Sequence, residues 1–379
     1  GGGRAGDTSR RLVTPAGTPY RRARLLARLH GVPVGFAVVD TPDGTFDPDA
    51  VRATVRRDLA ADITAVSEDI RTFGELADFS SEILSAEMSP SPETSPATTL
   101  PAHADAGDAG IGAGARRGQA YRPRVSVVVC TRDRAERLPA CLARLRALRY
   151  PELEIIIVDN APSDDATRTV FEREVGDDPR FRYAREDVPG LSRARNRGLA
   201  EATGELIAFT DDDVAVDPWW VCGLVRGFTR RADVVCVTGL VPAATLDSAA
   251  ELYFDARVSW ATSCVPRVYD ARPDSGTSAL HPFTAGLFGT GANFAVRTDV
   301  LRALGGFDEA LGAGTPTGGG EDIDLFLRVL LAGHALAYEP AALVWHSHRS
   351  DLESLRRQLF AYGTGLSAYL SKHLADPRS

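Results

Sequence analysis

The chain has 379 residues, which is long enough for about two domains, and its 44% hydrophobic and 25% charged content is that of a soluble globular protein. The net charge of −8 argues against a protein that binds nucleic acid through its phosphates. Five cysteines without a Cys-x-x-Cys pair disfavour a disulfide framework and favour a reducing compartment. No apolar run reaches the length of a membrane span, and there is no apolar leader at the start. We therefore expect a cytoplasmic protein.

The first part of the chain divides into three predicted segments. Residues 1–18 are polar and are expected to be mobile. Residues 19–78 predict a small α/β accessory unit, with a hairpin followed by a helix that begins with Asp47 as N-cap and runs to about Leu76. Residues 79–120 are rich in Ser, Pro, Ala and Gly, which is typical of a flexible linker. No catalytic constellation occurs in these segments, so packing or docking is the expected role of the accessory unit.

From residue 121 onward, apolar β-branched runs alternate with leucines at helical spacing. This alternation predicts a doubly wound, largely parallel sheet. Strands are predicted at 125–130, 153–158, 181–183, 206–209, 292–296 and 343–345, and helices at 137–148, 166–174, 192–201 and 323–331. We expect this α/β domain to occupy residues 121–350, followed by a helical segment over 351–379 that Gly363 and Gly365 break.

Three of the predicted strands end in clusters of polar residues. These are Thr131-Arg132, Asp159-Asn160 and Asp211-Asp212-Asp213. Because the carboxyl ends of parallel strands meet at one edge of a sheet, three such ends predict a nucleotide-sized crevice there. Three adjacent carboxylates repel one another, and a hard divalent cation with its ligand explains them most simply. Taken alone, the acidic triplet could also be a solvated turn.

The motifs of this domain follow one another in a specific order. They are VSVVVCTRDR at 125–134, IVDN at 157–160, SRARNRG at 192–198, DDD at 211–213, GTGANF at 289–294, GGFD at 305–308, GGEDIDL at 319–325 and HSH at 346–348. This series resembles the family 2 glycosyltransferases of the GT-A fold. The resemblance covers about residues 124–350 and leaves residues 1–120 outside. It implies an α/β fold with a mostly parallel, Rossmann-like sheet flanked by helices.

The resemblance also implies an activity. Enzymes of this family transfer a sugar, with inversion, from a nucleoside diphosphate to an acceptor hydroxyl. UDP is the default nucleotide, with dTDP and GDP left open, and the acceptor is a glycan, a lipid-linked sugar, a peptide or a small molecule. Processive members carry a Gln-x-x-Arg-Trp motif and membrane spans, whereas this chain has RRQLF at 356–360 and no span. We therefore expect one sugar per acceptor encounter, in the cytoplasm, with peripheral attachment to the inner face of the membrane left open.

By the same resemblance, Asp213 is expected to bind Mn²⁺ or Mg²⁺. The cation would stabilise the negative charge that develops on the leaving diphosphate. His346 is the expected second ligand, and His348 is the alternative, because residues two apart on a strand point to the same face. An imidazole ligand fits Mn²⁺ better than Mg²⁺. A purely structural histidine remains the other interpretation.

Six residues are implied as contacts of the donor nucleotide. They are Thr131, Arg132, Asp159, Arg195, Asp211 and Asp212. Asp159 matches the family position that accepts a hydrogen bond from the base. Asp211 is expected to face the ribose or to support the metal ligands without contacting the metal itself. Arg195 shares a helix with two further arginines, so a solvated face is its alternative interpretation.

The acceptor side is expected to contain the general base. Asp322 is the candidate for it, Glu321 is expected to position the acceptor, and Asp324 is the less favoured base. These carboxylates could also simply complement the dipole of the helix that they begin. Gly291 would permit close approach of the backbone to a ligand. Trp220 offers a face for sugar stacking, with a core role as its alternative.

Two other functions compete with sugar transfer. A sugar nucleotidyltransferase would share the sheet and the acidic site, but it would need a Gly-rich phosphate loop after the first strand. Residues 131–134 contain no glycine. A nucleotide-sugar-binding protein without catalysis would lack the base or the metal carboxylate, and this chain has both.

Overall fold

The computed structural model describes residues 12, 17–76, 121–258, 260–261, 263–272, 280–284 and 286–375. The predicted linker at 79–120 and, apart from residues 12, 17 and 18, the predicted mobile segment at 1–18 lie outside the described residues. None of the helices in the described ranges combines the length and the apolar character that a membrane span requires.

The described part of the chain alternates strands and helices. The strands are β1 (Arg22–Leu29), β2 (Val32–Asp40), β3 (Val125–Thr131), β4 (Leu153–Asn160), β5 (Phe181–Glu186), β6 (Leu206–Asp211), β7 (Val214–Val216), β8 (Val234–Leu240), β9 (Arg267–Tyr269), β10 (Asn293–Arg297) and β11 (Ala335–His346). The α-helices are α1 (Pro48–Asp58), α2 (Ala60–Phe73), α3 (Leu138–Arg146), α4 (Ala166–Val175), α5 (Leu191–Glu201), α6 (Trp220–Phe228), α7 (Ala249–Arg257), α8 (Thr298–Ala303), α9 (Glu321–Leu331) and α10 (Leu352–Ala375).

One large sheet forms the centre of the molecule, with the described strands in the order β5-β4-β3-β6-β10-β8-β11-β7 and β9 paired to β11. Strands β5, β4, β3 and β6 are mutually parallel, as are β8 and β11, while β10 runs antiparallel between β6 and β8. Within β3, Val127 and Val129 enter one core cluster and Val128 enters the other. The sheet is therefore buried on both faces, and the predicted mostly parallel α/β fold is confirmed.

The register of the sheet brings the three polar strand ends together. Thr131 on β3 pairs with Asp159 on β4, and Cys130 pairs with Asp211 on β6. The polar residues thus lie at one edge of the sheet, beyond the carboxyl ends of three adjacent parallel strands. This edge is where ligands bind in open α/β sheets.

The predicted helix from Asp47 to about Leu76 is two helices. Asp47 is the N-cap of α1, because its side chain accepts a hydrogen bond of 2.9 Å from the backbone N–H of Asp49. Leu59 then leaves the helical conformation, with φ −119° and ψ 19°, and α2 begins after it. Its side chain is buried, so packing of Leu59 takes precedence over the continuous helical pattern.

The prediction that glycines break the C-terminal helix is wrong. Helix α10 runs without interruption from Leu352 to Ala375. Gly365 instead lies against the loop before α9, where a Cβ atom would come within 2.6 Å of the carbonyl carbon of Gly319. The missing side chain allows α10 to approach that loop closely.

The N-terminal hairpin and helices pack against the large sheet and its helices, with polar contacts to α6 and α7. Asp69 on α2 accepts a hydrogen bond of 2.6 Å from the buried Arg226 of α6, and Arg230 binds the same carboxylate. Both arginines also bind Glu339 on β11, which is itself fully buried. An additional ion pair of 2.8 Å joins Arg24 on β1 to Asp255 on α7.

Candidate active site

Two adjoining cavities open at the carboxyl edge of the sheet. The first has a volume of about 680 Å³ and the second about 370 Å³. The first contains Thr131, Arg132, Asn160, Asp211, Asp212, Asp213 and His346, and the second contains Arg195, Asp211, Gly291, Glu321 and Asp322. Asp211 and Tyr362 line both. Most of the site residues predicted from the sequence therefore meet around this pair of cavities.

The three consecutive aspartates have different surroundings. Asp212 is buried and accepts hydrogen bonds of 2.7 Å from the hydroxyl of Thr131 and 2.7 Å from Arg134. Asp211 lies 3.6 Å from Arg195. Removal from water and the two neighbouring carboxylates raise the pKa of Asp211 to about 7, against the opposing effect of Arg195. All three aspartates line the first cavity, but the carboxylate of Asp212 is the one held by hydrogen bonds from Thr131 and Arg134.

Asp213 and His346 come together through the pairing of β7 with β11. His346 lies opposite Val214, the residue after Asp213. Burial lowers the pKa of His346 to about 4, so its imidazole is neutral at physiological pH and its lone pair is available to a metal. The described residues contain no group of three or more His, Cys, Asp or Glu side chains placed to hold a metal ion. One carboxylate and one imidazole are side chains of the types that can bind a divalent transition-metal cation.

His348 has a different environment from His346. Its Nδ1 atom lies 3.0 Å from Nδ1 of His346, and its ring packs edge-on against Phe254. The Nε2 atom of His348 lies 3.9 Å from Asp255. His346 lines the first cavity and His348 does not. His348 is thus placed to orient the ring of His346 without lining the first cavity itself.

Asp322 is held at the N-terminus of α9 by two backbone groups. Its Oδ2 atom accepts a hydrogen bond of 2.7 Å from the N–H of Gly291, and its Oδ1 atom accepts one of 2.8 Å from Ile323. Gly320, the N-cap residue of α9, has φ +95°, a left-handed conformation that favours glycine. This conformation directs the chain into the helix. The carboxylate is therefore fixed in position at the wall of the second cavity.

Arg195 organises the acidic wall of the second cavity. Its guanidinium donates hydrogen bonds of 2.9 Å to Glu321 and 3.0 Å to the carbonyl of Gly291. The guanidinium also lies beside the rings of Phe294 and Phe307, at 5.7 and 5.5 Å from their centres. Burial raises the pKa of Glu321. Arg195 is almost fully buried and lines the second cavity and not the first, which contains Thr131, Arg132 and Asp212, three of the other residues predicted to contact the nucleotide.

Two predicted site residues lie deeper than expected. Asp159 is fully buried; its Oδ2 atom accepts a hydrogen bond of 2.8 Å from Tyr183, and among the described residues its Oδ1 atom has no hydrogen-bond partner. Burial raises the pKa of Asp159. Trp220 is fully buried in α6, where its indole N–H donates a hydrogen bond of 2.7 Å to Asn293. It lines neither cavity, so the prediction that Trp220 positions a sugar is corrected to a role in the core.

Comparison with known proteins supports the interpretation of this geometry. The family model described as glycosyl transferase family 2 matches residues 126–304. The succinoglycan biosynthesis protein ExoM of Rhizobium meliloti is 30% identical over 250 residues, which cover 63% of this chain and 72% of ExoM. This chain belongs to family 2 of the glycosyltransferases. The predicted family is confirmed.

Other similar proteins carry additional sequence. The pre-mycofactocin glycosyltransferase of Mycobacterium tuberculosis is 28% identical over 254 residues, covering 66% of this chain and 48% of the relative. The glucosyl-dolichyl phosphate glucuronosyltransferase of Haloferax volcanii is 27% identical over 192 residues, covering 50% of this chain and 57% of the relative. This family 2 glycosyltransferase therefore spans about half the length of these two relatives.

A solved structure shares the fold of this family 2 glycosyltransferase. It is the mannosyltransferase PcManGT from Pyrobaculum calidifontis in complex with GDP-Man and Mn²⁺. The two structures align with a TM-score of 0.50 and 21% identity, covering 68% of this chain and 66% of that one. The likeness shows the fold, and the predicted GT-A fold is confirmed.

In this glycosyltransferase, a cluster of arginines in the first cavity was missed by the sequence analysis. Arg134, Arg349 and Arg357 line the cavity together with the predicted Arg132. Arg134 and Arg349 lie 3.7 and 3.8 Å from the carboxylate of Asp213. The sequence holds 42 arginines, so none of these stood out by composition, and only the fold brings the turn after β3 close to the end of β11.

The aromatic wall of the second cavity was also missed. Trp260 and Tyr362 both line this cavity, with their ring centres 6.4 Å apart. Trp260 also packs edge-on against His346, at 5.7 Å between ring centres. Trp260 stands in a loop and Tyr362 on a distant helix, and neither belongs to a motif, so no local signal could have paired them.

Proposed function

We propose that this protein catalyses the inverting, metal-dependent transfer of one sugar from a nucleoside-diphosphate sugar to an acceptor hydroxyl. One observation carries the proposal: the first and second cavities meet at Asp211 and Tyr362, with Asp213 and His346 on one side and Asp322 on the other. A donor in the first cavity and an acceptor in the second would meet at this shared wall. Attack from the side opposite the leaving group inverts the anomeric carbon.

The first cavity suits the diphosphate of the donor. Asp213 and His346 would hold Mn²⁺ or Mg²⁺, which when bound supplies positive charge to the leaving diphosphate. Within the described part of the chain, Arg132 and Arg349 contact carboxylates at 3.8 Å and make no hydrogen bond, so their guanidinium groups are available to phosphate oxygens. Guanidinium groups bind phosphates through strong charge-assisted hydrogen bonds.

Asp322 is the proposed general base. During transfer, the acceptor oxygen forms a bond to the anomeric carbon, the bond from that carbon to the diphosphate breaks, and Asp322 takes the hydroxyl proton. The backbone N–H groups of Gly291 and Ile323 hold the carboxylate of Asp322 in position to accept this proton. Glu321, fixed by Arg195, would orient the acceptor beside it.

We propose UDP as the donor nucleotide. Tyr183 already donates to one oxygen of Asp159, which leaves a single oxygen to accept from a base. Uracil and thymine each present one N–H group for such a contact, whereas guanine presents two adjacent ones. This difference favours UDP or dTDP over GDP, and UDP is the default of the two that the family resemblance implies. Because Asp159 is fully buried, Tyr183 or the base would have to move slightly before the base could donate a hydrogen bond to it.

Transfer of a single sugar in the cytoplasm completes the proposal. The segment at 356–360 differs from the motif of processive members, and it lies on α10 beside the first cavity. All five cysteines are free thiols, as expected in a reducing compartment. The Mn²⁺ and GDP-Man named for PcManGT support a nucleotide-sugar donor and a divalent cation.

Ligand-induced stabilisation tests the donor half of the proposal. UDP, dTDP and GDP are added with and without Mn²⁺ while the melting temperature is measured, since a ligand that binds only the folded state raises it. We expect UDP to stabilise the protein only with metal, followed by turnover of a UDP-sugar. Binding without any transfer or hydrolysis would favour the non-catalytic binder. Release of pyrophosphate from UTP and a sugar phosphate would favour the nucleotidyltransferase.

A further inference from the structure

Helix α10 has an unusual surface for a helix that lies on the outside of the protein. Residues 358–371 contain no charged side chain. The inward face of the helix is formed by Leu355, Gly365, Tyr369 and His373, all of which are buried. Uncharged residues are thus present on the outward face as well, where a surface helix ordinarily carries charge.

Several large apolar side chains of α10 are exposed to solvent. Phe360 is 75% exposed and Leu374 is 87% exposed, while Leu359 and Leu370 are 40% and 37% exposed. Leu359, Leu366 and Leu370 follow one another at spacings of seven and four, so they form one row along the helix. An exposed apolar row of this length marks a surface that binds an apolar partner.

This row is continuous with the second cavity. Tyr362 and Leu366 line the cavity, and both are partly exposed. Leu359 and Leu370 lie on the same side of the helix as Leu366: Leu359 two turns before it and Leu370 one turn after it. The apolar surface therefore begins inside the proposed acceptor site and continues outward along α10.

We infer that the acceptor is amphipathic: its hydroxyl-bearing head occupies the second cavity, and its apolar chain lies along the exposed leucines of α10. The inference rests on the proposed function, because it assigns the second cavity to the acceptor. Among the acceptor classes compatible with sugar transfer, it selects the lipid-linked one.

The chemistry of the second cavity matches both parts of such a molecule. Asp211, Glu321 and Asp322 form one wall, and they favour a neutral, hydroxyl-rich head over an anionic one. Trp260 and Tyr362 also line this cavity, and aromatic faces stack on the apolar faces of sugar rings. The apolar chain leaves on the side of Tyr362.

A second copy of the protein fits this surface less well. A protein partner seated along the leucine row would cover Tyr362 and Leu366, and with them the side of the second cavity through which an acceptor enters. An acceptor chain covers the same row while its own head fills the cavity. The continuity of row and cavity therefore favours the acceptor as occupant.

The test uses a series of n-alkyl β-D-glucosides with hexyl, octyl and decyl chains, below their micelle concentrations, in the presence of UDP and Mn²⁺. Trp260 is one of four tryptophans and lines the cavity, so intrinsic fluorescence reports binding. We expect affinity to rise by up to about fourfold for each methylene that becomes buried. Leu359→Gln and Leu370→Gln should abolish this dependence on chain length. Val38→Gln, which changes a valine on β2 that is 49% exposed, should leave it unchanged.

Several outcomes would overturn the inference. One is an affinity that does not depend on chain length in the wild type, and another is the same dependence in the two leucine variants. A dimer that Leu359→Gln and Leu370→Gln dissociate, seen by light scattering, would assign the row to a second copy. Binding of UDP with Mn²⁺ is measured in the same samples. If UDP binds and chain length has no effect, the inference alone fails; if UDP does not bind, the proposed function fails and the inference with it.

Discussion

The carboxylate of Asp322 accepts a hydrogen bond of 2.7 Å from the backbone N–H of Gly291. The contact joins two motifs that lie apart in the sequence, the GTG turn before β10 and the first turn of α9. The carbonyl of Gly291 in turn accepts from Arg195, which also holds Glu321. One glycine thus links the proposed base to the buried arginine of the same wall.

Replacing Asp322 by Asn should abolish most of the transfer activity. The amide has nearly the shape of the carboxylate but cannot accept the acceptor proton, and general base catalysis contributes about 100- to 10,000-fold. We expect kcat to fall by that order while the affinity for UDP with Mn²⁺ stays the same. Steady-state kinetics and UDP titration measure the two effects. Unchanged kcat in Asp322→Asn would assign the base to another group.

Replacing Gly291 by Ala should impair catalysis through Asp322 while the fold remains intact. A Cβ atom at this position would lie 3.0 Å from Asp322 Oδ2 and 3.0 Å from the Arg195 guanidinium, so one of them must move. Misplacement of a catalytic group by about 1 Å costs up to roughly 100-fold in rate. Gly319→Ala is the control, since its Cβ would meet only the carbonyl of Ala361, at 3.7 Å. Equal kcat for the two variants would show that this contact is unimportant.

The strand ends and the order of motifs were predictable from the sequence because their signals are local. Thr131 and Asp159 follow apolar β-branched runs directly, and parallel pairing places such ends side by side. Trp220 was misassigned because the sequence does not show whether an aromatic residue is buried or exposed. In the structure every residue of α6, including Trp220, is buried. The glycines of α10 were misassigned for a related reason, since Gly365 serves a close approach to Gly319 and not a break.

The remaining parts of the site depend on tertiary contacts. Arg349 follows β11, and Tyr362 lies on a helix that folds back over the loop before α9. Neither has a neighbour in the sequence that indicates a ligand. Arg195 appeared as one of three arginines on a helix, and only its burial beside Phe294 and Phe307 distinguishes it from the other two.

Replacing Arg349 by Gln should weaken binding of the donor diphosphate. Its guanidinium lies 3.8 Å from Asp213 without a hydrogen bond and lines the first cavity. A hydrogen bond to a charged group contributes about 1.5–3 kcal/mol, so we expect affinity for UDP to fall about 10- to 100-fold. Affinity for uridine should change little, because uridine lacks the diphosphate. Calorimetric titration measures both ligands.

The control for this variant is Arg173→Gln, which removes an arginine that pairs with Glu174 on α4. Its UDP affinity should equal that of the wild type. If Arg349→Gln weakens uridine and UDP by the same factor, the residue does not contact the diphosphate.

Removing either proposed metal ligand should abolish the dependence of UDP binding on metal. Asp213→Ala and His346→Ala each take away one of two protein ligands, and even indirect partners of metal ligands contribute about 10- to 100-fold in affinity. We expect Mn²⁺ affinity, measured by electron paramagnetic resonance with UDP present, to fall by more than about 100-fold. His334→Ala, in the loop before β11, is the control. Wild-type Mn²⁺ affinity in both ligand variants would place the metal elsewhere.

Replacing Asp69 by Asn should loosen the contact between α2 and α6. Asp69 binds Arg226 and Arg230, and breaking a buried ion pair on one side costs about 3 kcal/mol. Burial acts to raise the pKa of Asp69, but hydrogen bonds from Arg230 and Arg226 outweigh it and hold the pKa below its usual value. A lowered pKa in the folded state stabilises the protein at neutral pH, and this contribution is lost as the pH falls through the folded pKa.

The free energy of unfolding, measured in urea at several pH values, tests this prediction. The wild type should exceed Asp69→Asn at pH 7, and the difference should narrow as the pH falls below about 4. Asp58→Asn removes a solvent-exposed partner of Arg57 on α1 and should change stability little at either pH. A difference between the wild type and Asp69→Asn that is independent of pH would mean that the charge of Asp69 does not hold the accessory unit against the sheet.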